Sequence, residues 1–298
     1  MIMGFPPSPF TWAEARAAGI SCKRLDAAVE AHEIRRVLQG VYVEASLEDT
    51  PLLRARAARR VISPHSVLCD RTAAWVLGCD VHDYRELDVI PPIESYVLRG
   101  HDPTDRPECD GGTRDLRPED WCEVGGVRVT TPLRTAMDLG CKLDRRSALA
   151  AMDALMREYD FTVDDMMRLL PRYVRRRGVR RLRTIVALGD PHAESRSESW
   201  VRLEIIDRGL PVPQLQHWVW IDGVPTYRLD LAYPHARVAV EYDGEEFHSS
   251  PEERERDRVR RSRLRELGWT LIVLTKDDFS PARTDAWIRR IRDALAGL

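Results

Sequence analysis

The 298-residue chain has no long hydrophobic run, no paired cysteine motif and very little lysine. A membrane-spanning helix needs about 18 or more consecutive apolar residues, and no such run is present. The start, Met1-Ile-Met-Gly-Phe-Pro-Pro7, lacks the charged region and the apolar stretch of a secretory signal peptide. We therefore expect a soluble, cytoplasmic protein that has no membrane partner.

The cysteines exclude two further classes of protein. Six are present, at irregular spacings and without a C-x-x-C pair. Structural zinc sites and disulfide frameworks both show regular cysteine spacings, so the sequence indicates neither. We expect the six to be small core residues.

Arginine supplies almost all of the positive charge. Only three of the 46 basic residues are lysines: Lys23, Lys142 and Lys276. The formal net charge of -2 excludes a uniformly basic nucleic-acid binder, although whole-chain balance can hide local patches. Between Arg172 and Arg183, seven of twelve residues are arginine. This run is either a solvated helix face or linker, or a contact with a DNA backbone.

The first 48 residues have the order of a minimal winged helix. Thr11-Trp-Ala-Glu14 has the spacing of a capping box, and a second helix is expected after Ser21. The segment 35–43 then predicts a hairpin around Gly40. In a winged helix, Lys23 and Arg24 would lie at the start of the helix that enters the major groove, and Arg35 and Arg36 would bind phosphates from the wing. Any small α+β bundle shows the same order.

The middle of the chain, residues 49–187, mixes helices and strands and shows no recognisable chemistry. Gly, Pro and Asp are frequent between Gly100 and Pro118, which predicts a loop. Overall we expect an α+β multidomain protein with an N-terminal winged helix (1–48), a mixed α/β connecting domain (49–187) and a C-terminal α/β domain (188–298).

The C-terminal domain is predicted to follow the order α-β-β-β-α-β-α. Its second and third strands, around 227–233 and 237–242, are joined by a short turn. If residues 234–237 form a four-residue loop, Tyr233 faces Val238 and Asp230 faces Glu241. Period-two alternation then puts both acids on the face opposite the apolar core face. The core face would consist of Leu229, Leu231, Tyr233, Val238, Val240 and Tyr242.

Two carboxylates directly opposite each other repel, so a positive group should lie between them. A divalent metal suits two hard oxygen ligands on rigid strands. The alternative is that both acids are solvated on an exposed sheet face.

Three further residues have two interpretations each. Asp243 is a candidate catalytic acid, or it pairs across the strands with Arg228. Glu198 is a candidate metal ligand, or it completes a capping box with Ser195. His248 is a candidate acid, base or phosphate contact, or a surface histidine.

Specific motifs of the C-terminal domain resemble the domain-of-unknown-function 559 family, which is related to very-short-patch-repair endonucleases and has the PD-(D/E)xK restriction-endonuclease-like fold. The resemblance covers about residues 188–280 and rests on Glu194-Ser-Arg-Ser-Glu198, Arg228-Leu-Asp230-Leu-Ala, Val240-Glu241-Tyr-Asp243-Gly244, Phe247-His248, Asp257-x-x-Arg260, Leu264 and Gly268-Trp269.

The first part of the chain, through Arg36-x-x-x-Gly40-Val-Tyr-Val43, resembles the winged-helix domain of AbiEi-type abortive-infection antitoxins. The middle, which includes Thr72-Ala-Ala-Trp75 and Val129-Thr-Thr-Pro132, is similar to the segment that often joins the two domains in such proteins.

The nuclease resemblance implies a DNA phosphodiesterase that uses Mg²⁺ or Mn²⁺, held by Glu198, Asp230 and Glu241. One position departs from the motif, because Glu241-Tyr-Asp243 has aspartate where a lysine is usual. Such a lysine helps to activate water or to stabilise charge on the phosphate. The departure leaves three alternatives: variant chemistry, replacement of the lysine by another cation such as Lys276 or Arg260, or an inactive site kept for binding. Arg260 is also a candidate DNA contact. In the last case the resemblance implies an antitoxin that represses its own operon beside a nucleotidyltransferase-like toxin.

Overall fold

The computed structural model describes residues 4–81, 92–244 and 250–297. The chain forms two compact units, Met1–Leu143 with Asp165–Leu182, and Asp144–Asp164 with Arg183–Leu298. None of the helices in the described ranges is long and apolar enough to cross a membrane. The three-domain division at residues 48 and 187 remains a prediction.

The first unit begins with two short helices and a hairpin. Its elements are β1 (Phe10–Thr11), α1 (Trp12–Ala17), α2 (Cys22–Glu30), β2 (Ile34–Leu38) and β3 (Val41–Glu44), and the sheet order is β1-β3-β2. The capping box is confirmed, since Thr11 Oγ1 accepts from Glu14 N–H and Glu14 accepts from Thr11 N–H. Assignment of this part as a winged helix stays a prediction.

A five-stranded mixed sheet follows in the same unit. The elements are α3 (Pro51–Arg59), β4 (Ser66–Leu68), α4 (Asp70–Val76), β5 (Ile93–Leu98), β6 (Cys109–Arg114), β7 (Trp121–Val124), β8 (Val127–Thr130) and α5 (Pro132–Lys142). The sheet order is β6-β5-β4-β8-β7. The loop predicted for 100–118 is wrong over β6, which pairs in parallel with β5. Gly111 allows this pairing, because a Cβ there would lie 1.7 Å from the Ser95 carbonyl oxygen.

Three helices connect this sheet to the last part of the chain: α6 (Arg145–Glu158), α7 (Val163–Leu169) and α8 (Val179–Ile185). The first of them, α6, belongs to the second unit, although it precedes residue 188.

The second unit is built on a four-stranded sheet. Its other elements are α9 (Arg196–Asp207), β9 (Gln214–Ile221), β10 (Val224–Tyr233), β11 (Val238–Tyr242), α10 (Pro251–Glu266), β12 (Thr270–Leu274) and α11 (Pro281–Ala296). The sheet order is β12-β11-β10-β9, in which only the β11–β12 pair is parallel. The long α10 crossover between β11 and β12 is what a parallel pair requires.

Both faces of this sheet carry buried side chains. Leu231, Tyr233, Val238 and Val240 pack with residues of α9 and α11 in one core, as predicted. The prediction that Leu229 belongs to the same core is wrong, because Leu229 packs in a second core with Ala232, Ala239 and Leu264 of α10. The face predicted to carry the acids is therefore covered by α10, whose Leu264 is fully buried.

Candidate active site

The β10–β11 hairpin has the predicted register. Tyr233 pairs with Val238 and Leu231 pairs with Val240, so continuing the ladder places Asp230 opposite Glu241. The turn is closed by hydrogen bonds from Ala236 N–H to the Tyr233 carbonyl (3.0 Å) and from Arg237 N–H to the Pro234 carbonyl (3.3 Å). Asp230 Oδ2 accepts a further hydrogen bond from the Tyr242 N–H at 3.3 Å.

A line of polar groups crosses the middle of the sheet at this level. On the far side of β10, Leu229 pairs with His217 and Leu231 pairs with Leu215, so Gln216 of β9 lies opposite Asp230. Gln216, Asp230 and Glu241 therefore come from three adjacent strands. The strands hold their backbones rigidly, which is the usual support for a preorganised site.

Glu198 joins this line from the first turn of α9. Its N–H donates to the N-cap Ser195 Oγ (3.1 Å), and its Oε2 accepts from Glu194 N–H (2.9 Å) and Gln216 Nε2 (2.8 Å). Ser195 therefore caps the helix, but the predicted capping box is not completed, because the Glu198 side chain, which is 7% exposed, accepts from Glu194 N–H and not from Ser195 N–H. We call Glu198, Asp230 and Glu241 the carboxylate cluster.

The cluster is electrostatically strained at Asp230. Burial and, after it, the negative charges of Glu198 and Glu241 together raise the pKa of Asp230 to about 6. The carboxylate is ionised at pH 7 only against this penalty. A cation at this point would relieve it.

Arg260 of α10 is the positive group that the structure places beside the cluster. Its guanidinium donates to Glu241 Oε1 at 2.5 Å and to Glu241 Oε2 at 3.0 Å, and also to the Arg228 carbonyl at 2.9 Å. Glu241 is only 5% exposed, so this bidentate pair neutralises a buried charge. Lys276, the other candidate cation, is exposed after β12.

The alternative in which Asp243 pairs with Arg228 is wrong. Asp243 pairs with Arg261 at 2.7 Å, whereas Arg228 donates two hydrogen bonds to Glu194 at 2.8 and 2.7 Å. The hairpin register alone did not show that α10 and the segment before α9 supply closer partners. His248 lies outside the described residues.

Three side chains of β9 were missed by the sequence reasoning. Gln216, with a left-handed φ of 51°, positions Glu198, and the exposed Trp218 and Trp220 follow it at alternate positions of this edge strand. Trp218 and Trp220 are 45% and 62% exposed, and the Arg228 guanidinium lies 6.0 Å from the Trp218 ring centroid. The alternation in Gln216-His-Trp-Val-Trp220 was the signal that could have revealed them.

The predicted DNA-binding residues of the first unit lie on the expected elements. Lys23 and Arg24 are exposed in the first turn of α2, and Arg36 is exposed on β2. Two of the four are engaged, since Arg24 pairs with Glu33 at 2.8 Å and Arg35 donates to the Leu47 carbonyl at 3.0 Å. Their contact with DNA remains a prediction.

The second unit has donor chemistry that suits a divalent cation, but it is not a preassembled metal centre. Within the described ranges, no three His, Cys, Asp or Glu side chains are grouped closely enough to hold a metal ion. Both oxygens of Glu241 accept from Arg260, whereas Glu198 and Asp230 each have one oxygen that accepts no hydrogen bond from the described residues. Hard carboxylate oxygens and the raised pKa of Asp230 fit a hard cation.

Two family models match the chain. The restriction-endonuclease-like model REase_MTES_1575 covers residues 198–295, and the AbiEi antitoxin C-terminal domain covers residues 66–189. The AbiEi relationship expected from the sequence is therefore shown, but its match falls on the middle of the chain and not on the hairpin of residues 36–43.

Two relatives match nearly the whole chain. They are the uncharacterized protein Rv2248 of Mycobacterium tuberculosis strain H37Rv and the uncharacterized protein MT2308 of strain CDC 1551. Each is 33% identical over 277 residues, which cover 91% of this chain and 97% of the relative. The chain belongs to the family of these two proteins, and in it an AbiEi antitoxin C-terminal domain precedes a restriction-endonuclease-like domain.

Proposed function

We propose that the protein is a DNA endonuclease whose second unit hydrolyses phosphodiesters with the carboxylate cluster. The observation that carries this proposal is that the β10–β11 ladder, continued by one position, brings Asp230 opposite Glu241, and that the charges of Glu198 and Glu241 act on the buried Asp230 carboxylate. A buried acid whose pKa is raised by neighbouring carboxylates is more typical of a catalytic site than of a structural one.

Glu198, Asp230 and Glu241 would hold Mg²⁺ or Mn²⁺. The metal, when bound, would polarise the phosphate and lower the pKa of the attacking water. The protein's own contribution is to fix the three carboxylates, through the β-ladder, the Ser195 cap and the Gln216 hydrogen bond.

Arg260 would take the role of the missing motif lysine. Its guanidinium already lies against Glu241, and an arginine has five N–H donors, of which only some are used by Glu241 and the Arg228 carbonyl. The free donors suit a phosphate oxygen, on which negative charge develops during hydrolysis. Asp243 would not be catalytic, because Arg261 pairs with it.

DNA would reach the site along β9. Trp218 and Trp220 are exposed on the edge strand that continues from Gln216, and aromatic rings on such a strand stack on unpaired bases. A single-stranded or locally opened substrate therefore suits this surface better than an intact duplex.

A second function has its own support. The AbiEi match, the aspartate at the lysine position and the engagement of both Glu241 oxygens by Arg260 favour an antitoxin that represses its own operon. In that case the first unit binds operator DNA, the second unit binds without cutting, and a nucleotidyltransferase-like toxin is the partner.

A cleavage assay distinguishes the two functions. Full-length protein is incubated with plasmid, single-stranded and mismatched DNA, with Mg²⁺, with Mn²⁺ or with EDTA. A nuclease requires metal-dependent cleavage that Asp230→Asn and Glu241→Gln abolish, while the control Asp243→Asn retains it. Operator binding by a wild-type protein that cuts none of these substrates with either metal would establish the second function.

A further inference from the structure

The first unit contains a pocket lined mainly by arginine. It encloses about 490 Å³, and six of its ten lining residues are arginines, whereas one is an aspartate, Asp115. The arginines come from the end of β6, the loop after it, α5 and the arginine-rich segment: Arg114, Arg117, Arg134, Arg172, Arg175 and Arg176. The pocket lies in the unit that does not contain the carboxylate cluster.

Buried aspartates hold the back wall of this pocket in place. Arg134 donates to Asp138 at 3.0 Å and to Asp120 at 2.9 Å, and Arg114 donates to Asp138 at 2.8 Å. Asp120 and Asp138 are at most 2% exposed. Fully buried ion pairs contribute little net stability, because desolvation offsets their attraction. Their clear effect is to fix the directions of the guanidinium groups.

The front of the pocket is formed by arginines with exposed guanidinium groups. Arg172 pairs with Asp120 and Arg176 pairs with Asp138 at 2.7 Å, yet their side chains remain 25% and 28% exposed. Arg117 is 61% exposed, and among the described residues its guanidinium forms an ion pair with Glu119 alone, at 3.7 Å. Arg175 is exposed and forms no ion pair with an acid among the described residues. The lining arginines thus outnumber the nearby carboxylates.

The backbone at Arg175 is an independent indication of a functional site. Its φ is +68°, in the left-handed region that favours glycine. Such strain in a non-glycine residue persists where the surrounding structure enforces it, and it is concentrated at functional sites. Tyr173, two residues before Arg175, is held in place: its buried ring packs under Arg176, 4.9 Å away, and its hydroxyl donates to Asp138 at 2.6 Å.

We propose that this pocket binds a phosphate group, carried either by a nucleotide or by a nucleic-acid strand. Several fixed guanidinium groups around one concave space suit a tetrahedral oxyanion, which arginines bind through paired N–H donors. The site is formed by the AbiEi-like region and does not depend on nuclease activity. It also accounts for part of the arginine run, because Arg172, Arg175 and Arg176 line the pocket.

The test uses two double variants with the same loss of charge. Arg117→Ala with Arg175→Ala removes two lining arginines that no buried aspartate requires. The matched control, Arg177→Ala with Arg180→Ala, removes two exposed arginines from the same run that do not line the pocket. Binding to the full-length protein is measured by calorimetry at constant ionic strength. The probes are inorganic phosphate, a nucleoside triphosphate, and one single strand with and without a 5′-phosphate.

We expect wild type and control to bind at least one of these probes equally, and the pocket variant to bind it at least tenfold more weakly. Tighter binding of the triphosphate than of inorganic phosphate identifies a nucleotide as the source. A pocket-dependent preference for the 5′-phosphorylated strand identifies a strand end, and equal pocket-dependent binding of both strands identifies the phosphodiester backbone. The proposal is wrong if wild type binds none of the probes, or if the two double variants lose equal affinity.

Discussion

Replacing Asp230 by asparagine should stabilise the metal-free protein, because it removes the strained charge of the carboxylate cluster. Burial and the nearby Glu198 and Glu241 raise the pKa of Asp230 from 3.8 to about 6. At about 1.4 kcal/mol per pKa unit, the rise amounts to about 3 kcal/mol of destabilisation at neutral pH. An asparagine carbonyl still accepts from Tyr242 N–H but is itself costly to bury, so we expect a net gain of about 1 to 3 kcal/mol.

The stabilisation of Asp230→Asn relative to wild type should depend on pH. The folded state holds the Asp230 proton more tightly than the unfolded state, so wild-type stability falls as pH rises from about 4 to about 6. The advantage of Asp230→Asn should therefore be small at pH 4 and complete at pH 8. Bound metal reduces this advantage, since a cation at ten times its dissociation constant adds about 1.4 kcal/mol to the stability of wild type alone.

Urea unfolding followed by tryptophan fluorescence measures this effect, because five of the eight tryptophans lie in the second unit. Asp243→Asn is the matched control. Asp243 is 44% exposed and pairs with Arg261, so its amide should change stability by less than about 1 kcal/mol. The electrostatic reasoning fails if Asp230→Asn is no more stable than wild type at pH 8, or if its advantage is the same at pH 4.

Three other predictions concern Arg260, the exposed tryptophans of β9 and the basic residues of the first unit. Arg260→Ala should destabilise the second unit by about 3 to 5 kcal/mol by leaving the buried Glu241 charge unpaired, and Arg260→Lys should recover part of this loss in urea unfolding. Trp218→Ala with Trp220→Ala should weaken single-strand binding by about 1 to 3 kcal/mol for each lost stack; affinity equal to wild type in a fluorescence titration would contradict base stacking on β9. Replacing four basic residues of the first unit by alanine should weaken DNA binding and flatten its salt dependence: Lys23, Arg24, Arg35 and Arg36. Equal DNA binding by a truncation that lacks residues 1–48 would contradict this assignment.

Local sequence rules were sufficient for the β10–β11 hairpin and for the Thr11 helix cap. The hairpin register depends on a short turn and on period-two alternation, both of which are encoded within about fifteen residues. Continued by one position, that register places Asp230 opposite Glu241. The family motifs extended this local information to the restriction-endonuclease-like domain, whose model matches residues 198–295.

Contacts between distant segments decided the rest. Asp243 pairs with Arg261 and not with Arg228, and Glu241 is neutralised by Arg260, because α10 packs across the sheet after a crossover that the hairpin pattern does not describe. The strand β6 was not predicted because its sequence contains two glycines and has low strand propensity. The need for Gly111 becomes visible only in the structure, where β6 pairs closely with β5. The arginine pocket likewise joins residues 113–117, 134 and 172–176. Ion pairs and cavities of this kind form between residues far apart in the chain, so periodicity and spacing carry no signal for them.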